Sequence, residues 1–127
     1  AFKTAMVYTP QQAEKYLDKR QKEEIYRIEN GKVKRKQDVP NWCKRLWLNS
    51  TVNWDGTVVP CCFDVDSDYI FANVFNERQT FKAAWKNKNY MRFRKALLTN
   101  RSAIEMCSNC TEGMKQPYAK ILELEDL

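Results

Sequence analysis

The chain has 127 residues, a formal net charge of +6 and no histidine. The absence of histidine excludes Cys–His zinc fingers, Ser-His-Asp triads and Cys-His proteases, and no stretch approaches the roughly 20 apolar residues of a membrane span. The length suits one domain, no signal peptide is visible, and we expect a cytoplasmic protein.

The first predicted elements are a strand over residues 2–8 and a helix that follows it. Thr9 and Pro10 supply the helix start, because Thr is a favoured N-cap and Pro fits the first helical position. The polar, helix-forming sequence predicts continuation to about Ile28, and Asn30-Gly31 then ends the helix.

The positive charge is interpreted as solvated surface rather than as a nucleic-acid site. One short basic run, which includes Arg35, lies between Lys32 and Pro40, a segment that is typical of an exposed connector. A second group of basic residues is spread along a predicted helix, namely Lys82, Lys86, Lys88, Arg92, Arg94 and Lys95. Because neither group forms a concentrated basic groove, nucleic acid is not an expected partner.

A β-hairpin is predicted around Asp55-Gly56, which lies between two β-rich runs. A two-residue turn at these positions places Val52 opposite Val59 and Trp54 opposite Thr57. Asp55 is then a turn residue and not a catalytic acid.

Two adjacent cysteines, Cys61 and Cys62, follow the second strand of this hairpin. Successive side chains of a strand point to opposite faces, so both cannot point at one site. The predicted register puts Cys61 on an apolar face with Trp54 and Val59, and a cluster favours apolar shielding. This favours Cys61 as a metal ligand and Cys62 as a packed thiol outside the site.

A helical region is predicted to begin at Gln79-Thr80. Its large apolar residues recur at helical spacing and predict one buried face, formed by Phe81, Trp85, Tyr90, Phe93 and Leu97. Such a stripe indicates a core rather than a cofactor site. A short final helix is predicted from Tyr118 to Leu127.

The cysteines follow the pattern C-x17-C-C-x44-C-x2-C. Cys107 and Cys110 form a chelating C-x2-C unit, and Cys43 with one of the adjacent pair supplies a second. Four thiolates suit either a structural zinc ion or a [4Fe–4S] cluster, and the spacing leaves both open. Five cysteines would leave one thiol over in a fully disulfide-paired chain.

About residues 41–115 resemble the SPASM/twitch domain found at the C-terminus of radical S-adenosylmethionine (SAM) enzymes. The family's pattern of a Cys, a gap, G-x4-C and a later C-x2-C is matched by Cys43, Gly56, Cys61, Cys107 and Cys110. The family's small-Asn-Val turn is matched by Ala72-Asn73-Val74, and its helix with a Trp and a Tyr-x3-Arg segment is matched by Trp85, Tyr90 and Arg94. We interpret these residues, together with Trp54, as structural. The full family pattern has seven cysteines and two clusters, so this chain resembles the one-cluster variant.

The resemblance implies a [4Fe–4S] auxiliary cluster on Cys43, Cys61, Cys107 and Cys110. In the family, such clusters accept an electron from a substrate radical or help to hold the substrate, which is a peptide, a protein or a small molecule. Zinc is the alternative occupant of the four thiols.

The resemblance also bears on the rest of the protein. The C-x3-C-x2-C motif of the SAM-cleaving cluster is absent, and residues 2–8 resemble the last strand of the radical SAM barrel. We therefore expect a C-terminal fragment that is not catalytic alone. Its expected partner is the barrel of the same parent chain, a radical SAM oxidoreductase or maturase, where SAM and a second cluster bind.

Together these features predict an α+β fold, in which a small β-hairpin cluster-binding core is followed by helices. Residues 1–40 are assigned to a barrel-derived strand, helix and linker, residues 41–115 to the cluster domain, and residues 116–127 to a tail. Two other functions compete with this one: a zinc-stapled module that binds nucleic acid or protein, and a disulfide-linked extracellular domain.

Overall fold

The computed structural model describes residues 7–76 and 80–114 of the chain. Within these ranges the fold is α+β, as predicted, with a two-stranded antiparallel sheet, β1-β2, and a three-stranded antiparallel sheet, β3-β4-β5. The bounds in chain order are α1 Pro10–Tyr16, β1 Tyr26–Glu29, β2 Lys32–Arg35, α2 Arg45–Leu48, β3 Thr51–Val52, β4 Thr57–Val59, β5 Ala72–Asn73, α3 Phe81–Trp85, α4 Lys88–Asn100 and α5 Glu105–Ser108. A π-helical turn covers Gln21–Ile25, and a 3₁₀ turn covers Arg101–Ala103.

The start of α1 is as predicted, but its length is not. The Thr9 hydroxyl accepts a hydrogen bond from the Gln12 main-chain N–H, and Pro10 is the first helical residue. The helix ends at Tyr16, and the predicted continuation to Ile28 is wrong. Of the predicted strand over residues 2–8, residues 7 and 8 are not in a strand, and the others lie outside the described residues.

The segment predicted to end the long helix is a β-hairpin instead. Asn30 and Gly31 have φ values of 53° and 72°, which suit a two-residue hairpin turn, and Tyr26 pairs with Arg35 across it. This pairing buries Tyr26 and Val33 against Val7, Ala13 and Leu17, the second core cluster. The predicted exposed connector from Lys32 to Pro40 is therefore wrong at β2, where Val33 and Arg35 are buried.

The second hairpin forms at the predicted place, but its register differs by one residue. Val52 pairs with Val58 rather than with Val59, which leaves Trp54–Gly56 as a three-residue loop. The Asp55 carboxylate accepts hydrogen bonds from the main-chain N–H and the hydroxyl of Thr57, at 3.0 and 2.6 Å. Trp54 lies at the tip of this loop and is 93% exposed, so the predictions that it is structural and shields Cys61 are wrong.

The main core is built around α4. Tyr90, Phe93 and Leu97 are buried on one face of this helix, as the spacing predicted, and Trp85 packs at the edge of the same cluster. Phe71 stacks on Tyr90 with ring centres 4.3 Å apart. Phe81 is the exception to the predicted face, because it is about half exposed.

Arg94 on α4 is also buried, so its assignment to the solvated surface is wrong. Its guanidinium carbon lies 4.3 Å from the ring centre of Trp85 and 3.9 Å from that of Tyr90. The same group donates hydrogen bonds to the carbonyl oxygens of Leu46 and Trp85. Arg94 therefore joins α2, α3 and α4, and its structural role is consistent with the sequence interpretation.

The predicted final helix from Tyr118 to Leu127 lies outside the described residues. No helix within the described ranges is long and apolar enough to cross a membrane.

Gly56 gives a test of the observed hairpin. Its φ is +84°, and an added Cβ would lie 2.6 Å from the Phe75 ring and 2.9 Å from Asn73 Oδ1. We expect Gly56→Ala to lower the free energy of unfolding by about 2 kcal/mol or more, from left-handed strain of about 1–2 kcal/mol and overpacking of about 1–3 kcal/mol. Urea unfolding followed by tryptophan fluorescence measures this.

The matched control is Gly31→Ala. Gly31 also has a positive φ of +72°, but nothing lies within 4 Å of an added Cβ. Only the strain of about 1–2 kcal/mol is therefore expected there. Equal destabilisation by the two substitutions would contradict the close approach of Phe75 and Asn73 to Gly56.

Candidate metal centre

The C-x2-C pair lies at the last helix of the described chain. α5 carries Cys107, and the Cys110 main-chain N–H donates to the Cys107 carbonyl oxygen at 3.3 Å, which closes a tight turn. Both cysteines are buried. The main-chain N–H of Glu112 approaches Cys110 Sγ at 3.5 Å, so one sulfur already has a hydrogen-bond donor.

Cys43 and Cys61 approach the same core from the other half of the domain. The Cys43 carbonyl oxygen accepts from the Leu46 N–H as α2 begins, and Cys61 lies shortly beyond the end of β4. Both are half-buried and pack against the main core cluster, which includes Cys107 and Leu46. Residues that are 64 positions apart in sequence, Cys43 and Cys107, thus share one apolar environment.

The thiols influence one another electrostatically. Burial, with smaller contributions from the neighbouring Cys62, Cys110 and Cys43, raises the pKa of Cys61 to about 11. Burial likewise raises the pKa of Cys107 to about 12, with additional contributions from Cys110, Cys61 and Cys43. Cys61 and Cys107 are therefore each within electrostatic range of the other three predicted ligands, and a metal that binds the four must displace thiol protons.

Cys62 differs from its neighbour in exposure. Cys61 packs on the core, whereas Cys62 is exposed, so the prediction that Cys62 is a packed thiol is wrong. The greater burial of Cys61 agrees with the prediction that Cys61 rather than Cys62 is the ligand. The strand register on which that prediction was based is not the observed one. The assignment of the four ligands stays a prediction.

Two buried arginines, which the sequence analysis did not single out as site residues, flank the C-x2-C pair. Arg35 donates from its guanidinium to the carbonyl oxygens of Cys107 and Cys110, at 3.3 and 2.9 Å. Arg101 donates to the carbonyl oxygens of Trp42 and Glu112, at 3.0 and 2.9 Å. Arg35 looked like part of a basic run, and no local signal marked either residue.

An ion pair adds a further link between the two halves of the site. Arg45, on α2, contacts the carboxylate of Glu112 at 2.8 Å. Arg45 is two residues from Cys43 and Glu112 is two residues from Cys110, so the pair joins the segments that carry one cysteine of each unit. Both side chains are about one-third exposed, so the pair is partly screened and contributes modestly to stability.

The donor set fits an iron–sulfur cluster. Cys43, Cys61 and Cys107 lie at one apolar core, and Cys110 is buried three residues after Cys107 with an N–H donor to its sulfur. No disulfide joins any two of the five cysteines, all of which are described. Within the described ranges, no group of three or more His, Cys, Asp or Glu side chains is placed to hold a single metal ion.

Comparison with protein families matches residues 43–111 to SPASM, an iron–sulfur cluster-binding domain. The match covers more than half of the chain and includes all four predicted ligands. The chain therefore belongs to the SPASM family, as its sequence pattern indicated, and its cofactor is an iron–sulfur cluster. No match was found among curated proteins or among solved structures.

The exposure difference between the adjacent cysteines predicts the order of alkylation. In the native apo chain we expect iodoacetamide to modify Cys62 at least tenfold faster than Cys61 or Cys107, because exposed thiols react and buried protonated ones do not. Peptide mass spectrometry at successive times gives the rates. The chain unfolded in guanidinium is the control, in which all five thiols should react at similar rates.

Equal rates for Cys62 and Cys107 in the native chain would contradict the described burial. Fewer than five modified thiols in the unfolded, unreduced chain would instead favour the disulfide-linked alternative.

Proposed function

We propose that this domain binds one [4Fe–4S] cluster through Cys43, Cys61, Cys107 and Cys110 and serves as the auxiliary cluster domain of a radical SAM enzyme. The observation that carries the proposal is that the SPASM match includes all four cysteines. Three of them, Cys43, Cys61 and Cys107, lie at one core, and Cys61 and Cys107 are each within electrostatic range of the other three. Four cysteine thiolates are the usual ligands of such a cluster.

The chain's own residues provide the setting for electron transfer. The bound cluster supplies the chemistry, which is reversible one-electron transfer. The four cysteines would lose their thiol protons on binding, and the apolar side chains of the main core, including Leu46, pack beside Cys43, Cys61 and Cys107. The N–H of Glu112 donates toward Cys110 Sγ and favours the thiolate form.

A cavity beside the main core supports a role in holding the substrate. It has a volume of about 310 Å³ and is mainly apolar, with Tyr69, Phe71, Phe93 and Ile104 among its lining residues and Arg92 as a cation. Phe71, Phe93 and Ile104 belong to the same core cluster as Cys107. A peptide, protein or small-molecule substrate held here would lie against the core cluster that includes Cys107.

The proposed partner is the radical SAM barrel of the same parent chain, to which this domain is joined by its N-terminal side. The packing of residue 7 against the C-x2-C loop supports this, because the Val7 carbonyl oxygen accepts a hydrogen bond from the Asn109 amide. We expect the parent chain to carry a C-x3-C-x2-C motif on the N-terminal side of residue 1, which sequencing the locus checks.

Cluster binding is tested by anaerobic reconstitution with iron and sulfide. We expect about four irons per chain and broad brown visible absorption, as for a four-cysteine site. Cys61→Ala should lose the cluster, whereas Cys62→Ala, which removes the adjacent exposed thiol, should retain it.

Three outcomes contradict parts of this proposal. Uptake of zinc alone under reducing, anaerobic conditions would favour the zinc-stapled alternative. Loss of the cluster in Cys62→Ala and its retention in Cys61→Ala would reverse the ligand assignment. Loss in both variants would contradict the independence of Cys62 from the site.

A further inference from the structure

Two buried cations, Arg35 and Arg101, lie beside the C-x2-C pair. Arg101 is 1% exposed and Arg35 is 9% exposed. In the described part of the chain, neither guanidinium takes part in an ion pair. Burying an unpaired charge is costly, so two such groups in one place call for a compensating negative charge.

Arg35 holds the C-x2-C loop directly. Its guanidinium donates to the carbonyl oxygens of Cys107 and Cys110, and its main-chain N–H donates to Asn109 Oδ1 at 2.8 Å. These contacts place a positive charge against the main chain of both predicted ligands. Asp38 is an acidic group whose charge bears on Arg35, but it forms no ion pair with it among the described residues.

Arg101 lies near the same loop. Two of its nitrogens bond the carbonyl oxygens of Trp42 and Glu112, while its buried Nε has no hydrogen-bond partner. Its charge acts on Cys107, whose thiol pKa it lowers against the larger effect of burial. It also acts on Arg35, whose pKa is lowered by burial and then by Arg101, as expected for two nearby like charges.

A [4Fe–4S] cluster with four thiolate ligands is anionic, and it becomes more negative when it accepts an electron. Positive charge nearby stabilises the reduced form more than the oxidised form, which raises the reduction potential. The effect is strong where both groups are shielded from water, since the low local dielectric weakens screening.

We propose that Arg35 and Arg101 form a buried cation pair that compensates the negative charge of the cluster and raises its reduction potential. This inference rests on the proposed function, in which Cys107 and Cys110 are cluster ligands. It also gives the N-terminal hairpin a role, because Arg35 lies outside the matched residues 43–111.

The test measures the midpoint potential of the reconstituted chain by a spectroscopically monitored redox titration, with iron per chain determined in each sample. We expect Arg35→Gln and Arg101→Gln each to shift the potential to more negative values at unchanged iron content. Arg35→Lys and Arg101→Lys keep the positive charge and should therefore retain most of the wild-type midpoint potential. A purely structural role would not move the potential with the charge in this way.

Arg94→Gln is the matched control. Arg94 is also buried, but its guanidinium contacts the rings of Trp85 and Tyr90 rather than the C-x2-C loop. Its substitution should shift the potential less than either of the other two. A shift as large as that of Arg101→Gln would overturn the assignment of the effect to the cation pair.

The remaining outcomes separate this inference from the function on which it rests. A wild-type chain that takes up no iron contradicts the proposed function, whereas clusters of equal potential in wild type and glutamine variants overturn the cation pair alone. If a glutamine variant fails to fold, Asn109→Asp adds a carboxylate beside Arg35 and retains the oxygen that accepts from the Arg35 main chain, although it loses the hydrogen bond that the Asn109 amide donates to Val7. It should lower the potential, and an unchanged potential there also overturns the inference.

Discussion

The site depends on the buried guanidinium of Arg101. It bonds the carbonyl oxygens of Trp42 and Glu112, and the Arg101 main-chain N–H donates to Asn41 Oδ1 at 3.0 Å. These residues adjoin Cys43 and Cys110, so one side chain joins segments that are far apart in sequence. Closing so long a loop costs chain entropy, which buried hydrogen bonds from a charged donor help to offset. A residue that is not a predicted ligand therefore links the segments that carry Cys43 and Cys110.

The same helical region supplies the core and the links. α4 presents Tyr90 and Phe93 to the main core, Arg94 bonds the Leu46 carbonyl of α2, and the helix leads directly into Arg101. The two predicted ligand pairs are thus linked through one helix and the residue that follows it rather than by loops alone, which suits a site of defined geometry. The aromatic face of α4 therefore anchors the helical region whose arginines link the segments that carry the cysteines.

Local sequence signals predicted several local features correctly, whereas contacts that these signals do not reveal determined the features that were predicted wrongly. The N-cap at Thr9, the buried face of α4 and the cysteine spacing are each read within a few residues, and the cysteine pattern agrees with the family match. The prediction of a helix through Tyr26 was wrong because pairing with β2 buries that residue, and the helix propensity of the local sequence does not reveal such a pairing. The predicted register of the second hairpin was wrong because the hydrogen bonds that Thr57 donates to Asp55 favour a three-residue loop.

The N-terminal hairpin changes how the cluster domain is delimited. We placed a boundary between residues 40 and 41, which stays a prediction, and the family match begins at residue 43. Yet Arg35 bonds the C-x2-C loop from before that boundary, and Asn109 accepts from the Arg35 main chain. A backbone hydrogen-bonding pattern that involves both predicted ligands is thus completed by a segment outside the match. A fragment cut at residue 41 would keep every cysteine and lose one of the two cations beside them, so ligand content alone does not define the functional unit.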